Sequence, residues 1–140
     1  MMTAQQELLI PVFLHFLLTM VLGVILGLVR RNALKTGKAR VRDVVLDTRQ
    51  WPENVRKLSN NFDNQFQLPM LWYSGVAFTL ILGLADTVTA VLSWAFLASR
   101  LAHSYVHIGR NILVQRFFVF VLGAVTLSLY WLWLALQVFG

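Results

Sequence analysis

RRNALKTGKARVRDVVLDTRQWPENVRK, residues 30–57, holds nine of the twelve Lys and Arg residues in a chain of 140. The other three, Arg100, Arg110 and Arg116, lie between the last two of four long apolar segments. Residues 1–29, 58–99 and 117–140 contain none. A chain that crosses a bilayer four times puts its first and third connections on one side, and Lys and Arg concentrate on the cytoplasmic side. The charge distribution therefore predicts four spans, cytoplasmic first and third connections, and two non-cytoplasmic termini.

Composition agrees. Hydrophobic residues make up 58% of the chain, too many for an ordinary soluble domain. A span needs about 20 apolar residues, which places the four at 8–29, 66–85, 87–108 and 117–139, with a cytoplasmic loop over 30–51. The predicted fold is all-α: a single domain, 1–140, forming an integral membrane four-helix bundle of up-down topology. Its small core makes oligomerisation the expectation. The first apolar run has no basic residue before it and is followed by Arg30-Arg31, so it reads as a retained helix and not a signal peptide. The net charge of +6 is explained by topology and by anionic headgroups, so the predicted partner is the lipid bilayer and not nucleic acid. With no Cys, disulfides and a protein thiolate nucleophile are excluded.

The third span is unusual. Only 13 residues, Thr87 to Ser99, precede Arg100, so a crossing helix must carry Arg100, His103, Ser104 and His107 with it. The helix of span two is predicted to begin at Pro52, with Glu53 in its first turn, and to run through Phe62 with a kink at Pro69, which frees the Gln65 carbonyl. Arg56, Asn60, Asp63, Asn64 and Gln67 then form one polar face. Arg100, His103, Ser104, His107 and Asn111 form another on span three. Both stripes lie at the cytoplasmic ends of antiparallel helices, hence at one depth. Ionisable groups at membrane depth face a bundle interior or a wet cavity. Together they predict a polar, net basic pocket suited to an anion; the simpler reading is a snorkelling Arg100 with interhelical hydrogen bonds.

Other features are sparser. His103 and His107 have a spacing that can hold a metal, but with Asp63 the only acid at that depth no metal site is predicted. His15 is isolated and reads as hydrogen-bonded between helices. Gly23 and Gly27 form a small-xxx-small pair, a sign of close helix packing. Tyr130, Trp131 and Trp133 read as an interfacial aromatic belt.

At these stripes the chain resembles the MAPEG family, the membrane-associated proteins in eicosanoid and glutathione metabolism, as a bacterial-type member. The resemblance covers nearly the whole chain. Arg-Leu-Ala-His-Ser-Tyr-Val-His, residues 100–107, is similar to the Arg-x-Ala-His-Thr-x-x-Tyr that ends helix 3 in the microsomal prostaglandin E synthases. Arg116, nine residues after His107, is similar in spacing to an Arg near the start of helix 4. Asn61 and Pro69 match the family's entry into helix 2.

The resemblance implies a homotrimer in the bacterial inner membrane, with glutathione bound between protomers near the cytoplasmic face. It implies helix 2 ligands among Arg56, Asn60 or Asn61, and Asn64 or Gln65, with Asp63 where the family usually has a Glu. From helices 3 and 4 it implies His103, His107 and Arg116, joined by Arg100, Arg110 and Asn111; His107 replaces the family's Tyr. Arg116 is the residue implied to stabilise the thiolate of glutathione, a co-substrate that attacks a lipophilic small molecule. The implied activity is that of a glutathione-dependent transferase, peroxidase or isomerase. The alternative is a non-catalytic lipid- or partner-binding protein of the same family. A small transporter is a third reading, for which no inverted repeat speaks.

Overall fold

Thr3 opens the first helix with a reciprocal cap. Its hydroxyl accepts from the Gln6 N–H at 3.3 Å, and the Gln6 side chain accepts from the Thr3 N–H at 2.9 Å. The computed structural model describes residues 2–140, and every regular element in it is helical. Helix α1 is Ala4–Lys35, α2 Val41–Val44, α3 Glu53–Asn64, α4 Leu68–Ile81, α5 Thr87–Ile108 and α6 Leu113–Phe139, with a 3₁₀ turn at Thr48–Gln50.

Helix α1 buries a single stripe, Leu8, Pro11, His15, Thr19, Leu22 and Leu26. Its remaining surface is also apolar: Phe13, Phe16, Leu17 and Val24 are exposed. A helix whose uncovered face is as apolar as its covered one suits hydrocarbon, where the backbone is satisfied internally and lipid covers the side chains. Helices α1 and α6 are both long and apolar enough to cross a membrane.

The expected kink at Pro69 is a full break. Helix α3 ends at Asn64, Gln67 has ψ of −103°, and α4 starts afresh with Pro69 in its first turn. There the missing N–H costs nothing, because the first N–H groups of a helix have no partner in any case. Polar bonds hold the break. Gln65 Nε2 donates to the Asn61 carbonyl at 2.8 Å and to Ser104 Oγ at 3.2 Å. That fixes Gln65 Oε1 as the acceptor for His15 Nε2 at 3.0 Å. His15 Nδ1 is then a lone pair, and Tyr73 donates to it at 2.6 Å.

This polar layer divides two apolar clusters. Leu22, Leu26, Val55 and Leu58 lie in one, with Ala39 and Val44 of the first connection. Leu8, Trp72, Val76, Phe96, Leu127 and Tyr130 form the other. Helix α5 packs on α6 and α1, α4 on α6, and α3 on α1 and α5. Tyr130 is 1% exposed and bonds Thr79 Oγ1 at 2.8 Å, so it is a core residue and not part of an interfacial belt. Of the Gly pair, Gly23 lies against the Phe62 ring, whereas Gly27 faces open space.

At the far end, Asp86 caps α5 by accepting from the Thr89 N–H at 2.8 Å. Its other oxygen accepts from Trp133 Nε1 and Gln137 Nε2, each at 2.9 Å, which ties the α4–α5 connection to the end of α6.

Candidate functional site

Three helices of one chain meet at a cavity of about 430 Å³. Asn60, Asp63 and Asn64 of α3, with Gln67 at the break, form one wall. His103 and His107 of α5 form the second; Leu113, Arg116, Phe117 and Phe120 of α6 form the third. One chain supplies all three walls. Helical spacing explains the walls within each helix; Gln67 is placed by the break. Asn60, Asp63 and Asn64 recur at three and four residues, as do His103 and His107, and Leu113, Arg116, Phe117 and Phe120.

A second cavity, also of about 430 Å³, adjoins the first and shares Asn60 and Asp63 with it. Arg30, Arg49, Arg56 and Lys57 give it a basic lining, and Asn111 and Ser59 complete the nearer side. Arg30 is placed by its bond to Ser59 Oγ at 2.7 Å and by its position 5.5 Å over the Trp51 ring. Glu53 is paired with Lys57 at 2.7 Å, which holds its carboxyl below the usual range, so Arg30 and Arg56 supply the uncompensated charge there.

The sequence-derived residues thus separate into groups. Asn60, Asp63, Asn64, His103, His107 and Arg116 line the first cavity; Arg56 and Asn111 line the second. Asn61 and Gln65 line neither, being turned inward to hold the helix break. Arg110 is exposed in the α5–α6 turn. Asn111 lies past the end of α5 in that turn, with a left-handed φ of 52°, so it does not continue the α5 stripe.

Arg100 does not snorkel. It is 2% exposed, its guanidinium lying 5.2 Å from the Phe96 ring centre and 5.8 Å from that of Phe120. It donates from Nε to Ser99 Oγ at 3.3 Å. Arg30, Phe117 and Phe120 were not among the sequence candidates. The α6 spacing from Leu113 contains a signal for the two aromatics; nothing local marks Arg30.

The chemistry of the first cavity centres on Arg116. Its Nη1 donates to Asn111 Oδ1 at 3.0 Å and lies 3.4 Å from His107 Nε2. A guanidinium has donors only, so His107 Nε2 is a lone pair and its proton is on Nδ1. Neither holder is a carboxylate, and the positive charge is left whole. Both ring nitrogens of His103 and Nδ1 of His107 are buried without a partner. Buried polar atoms are normally paired; these three have almost no surface open to the cavity, so a ligand meets them only after the rings turn.

A family model for MAPEG matches residues 8–136. The chain belongs to the MAPEG family. This family of membrane proteins includes glutathione-dependent transferases and peroxidases, and its members typically use glutathione. No curated protein and no solved structure matched the chain.

Proposed function

We propose that this protein binds glutathione across the two adjoining cavities and uses its thiolate against a lipophilic electrophile, as a transferase or peroxidase. The observation that carries the reading is Arg116, a cation in the cavity wall held by the neutral amide of Asn111, with His107 as a longer neutral contact. The donor set fits the ligand. Arg56 and Arg30 suit its carboxylates, and Asp63, shared by both cavities, suits its ammonium. His103 and His107 complete the lining beside Arg116.

A thiol with an unperturbed pKa of about 8.5 is mostly protonated at neutral pH. A guanidinium beside the sulfur favours the anion, and the proton passes to water in the cavity. The sulfur lone pair then forms a bond to the electrophilic atom as that atom's leaving group departs with its electrons. Leu113 and Phe117 are both 66% exposed on the cavity's α6 wall. They give the cavity an apolar edge toward the bilayer, from which such a substrate enters.

The assembly proposed is a homotrimeric four-helix bundle whose spans lie at 8–29, 66–85, 87–108 and 117–139, with both termini non-cytoplasmic. Native mass measurement in mild detergent should give three copies, and a monodisperse monomer would count against it. The functional test is a thermal-shift series with glutathione. A ligand specific for the folded state raises the melting temperature with concentration, and thiolate absorbance should appear on binding. No shift with glutathione at millimolar concentration overturns the reading.

A second reading, non-catalytic lipid binding, has its own support. An apolar groove of about 470 Å³ runs between α1 and α4, with Phe13, Phe16 and Val76 on its walls. Binding of glutathione without turnover of any electrophile would favour it.

A further inference from the structure

We propose that Asn111 is the positioning residue for Arg116: it holds one end of the guanidinium without neutralising it, and leaves the rest for an anion in the cavity. The inference rests on the anion-binding reading above and adds to it the part of the chain that aims the cation.

The argument begins with the α5–α6 turn. Helix α5 stops at Ile108, the Gly109 N–H donates to the Tyr105 carbonyl at 3.0 Å, and the Asn111 N–H donates to the Val106 carbonyl at 2.9 Å. Closing the turn this way puts Asn111 at φ 52°. Among residues with a side chain, Asn and Asp tolerate that conformation best. It carries Oδ1 to 3.0 Å from Arg116 Nη1. Two demands thus meet at one position: a left-handed backbone and a side-chain acceptor. Gly meets only the first. Asp meets both, but adds a charge.

Donor counting gives the consequence. A guanidinium has five N–H groups. Asn111 and His107 both lie against Nη1, so Nε and Nη2 remain for a ligand. The Asn111 bond, at 3.0 Å, is the stronger holder; the His107 contact, at 3.4 Å, is beyond the usual range. A carboxylate at the Asn111 position would hold Arg116 more firmly and cancel the charge that an anion needs. The structure has a neutral amide there, and among the described residues no ion pair includes Arg116.

The test compares wild type, Asn111→Gly and Asn111→Asp in detergent. Two readouts are taken: the side-chain N–H signals of ¹⁵N-labelled Arg116, and the thiolate absorbance of bound glutathione at neutral pH. Asn111→Gly keeps the turn, so its melting temperature should stay close to wild type. Its Arg116 Nη signals should average through faster rotation, and affinity for the thiolate form should drop roughly two- to tenfold, less than the full worth of a charge-assisted hydrogen bond because the ligand keeps its own bonds to the guanidinium. Asn111→Asp should separate stability from binding: a melting temperature equal to or above wild type, with a larger loss of thiolate than in the Gly variant. A merely structural Asn would give the reverse order.

Unchanged Arg116 signals in Asn111→Gly overturn the inference whatever glutathione does. So does an unchanged thiolate level in both variants when wild type shows thiolate. If wild type shows none, the glutathione reading fails by itself, and the Arg116 signals still decide whether Asn111 holds the guanidinium.

Discussion

The Arg100 guanidinium occupies the space that a side chain at position 123 would fill. A methyl group on Gly123 would collide with Arg100 Nη2 and lie 2.7 Å from Ser99 Oγ. Phe96 and Phe120 enclose the same guanidinium, so it has little room to move aside. Gly123→Ala is expected to lower stability by about 1–3 kcal/mol, the usual range for overpacking. Pairing it with Arg100→Met should recover part of that loss, because the two changes share one space. Thermal unfolding of the single and double variants measures this coupling; strictly additive losses would show that the contact is loose.

Arg116→Ala should reduce glutathione-dependent turnover roughly 10- to 150-fold, the cost of about 1.5–3 kcal/mol for one charge-assisted hydrogen bond. The thiol of bound glutathione should titrate at higher pH. Arg116→Lys should restore part of the charge but not the planar donor fork. Arg42→Ala is the control, since Arg42 is exposed and lines neither cavity. Thiolate absorbance against pH, with steady-state rates, makes the comparison. Equal titrations for wild type and Arg116→Ala would reduce Arg116 to a topology-setting charge.

Gln65→Leu should destabilise the fold by about 1–3 kcal/mol, because it leaves the His15 N–H and the Asn61 carbonyl buried without their partner. The loss extends to the site. Gln65 holds the break that sets Asn64 and Gln67 on the cavity wall, so glutathione affinity should fall as well. Melting temperature and ligand-induced shift are measured together. Gln5→Ala, on the exposed start of α1, should change neither.

Asp86 predicts a pH effect at the opposite end of the molecule. Burial by itself would raise its pKa, but bonds from the Thr89 N–H and the Trp133 indole outweigh burial and hold the carboxyl below its usual value. A depressed folded-state pKa gives stability that is present above the unfolded value and lost as pH falls through the folded one. The melting temperature of wild type should therefore drop below about pH 4. Asp86→Asn should be less stable at neutral pH and lose less stability than wild type across the same window.

The proposed orientation is tested with single cysteines, since the chain has none of its own. Thr3→Cys and Gly140→Cys should react with a membrane-impermeant reagent in intact cells, and Lys38→Cys should not. The opposite pattern inverts the topology.

Much of the cavity lining was legible in the helical spacing. Asn60, Asp63 and Asn64 share one face of α3, and His103 and His107 share one face of α5. Adjacent residues were harder to separate. Asn60 and Asn61 lie about 100° apart on a helix; the first lines both cavities, and the second is fully buried beneath Gln65. Spacing says which residues share a face, not which face meets the cavity. Pro69 marked where the second span is interrupted, though not that the helix breaks outright, and the Asn111 turn was hidden because it ends the periodicity on which such a reading depends.

The sequence by itself determined the helical class, the membrane setting and the MAPEG family. The first two rest on hydropathy and charge placement and the third on the family match over residues 8–136, none of which needs any knowledge of contacts. The tertiary structure decided how the chain breaks between α3 and α4, which asparagines face the cavity, and what holds Arg116. Those outcomes depend on partners distant in sequence: His15 meets Gln65 across 50 positions and Gln65 meets Ser104 across 39. A buried polar group takes whatever partner the packing brings within about 3 Å, and no local pattern in the chain says which partner that is.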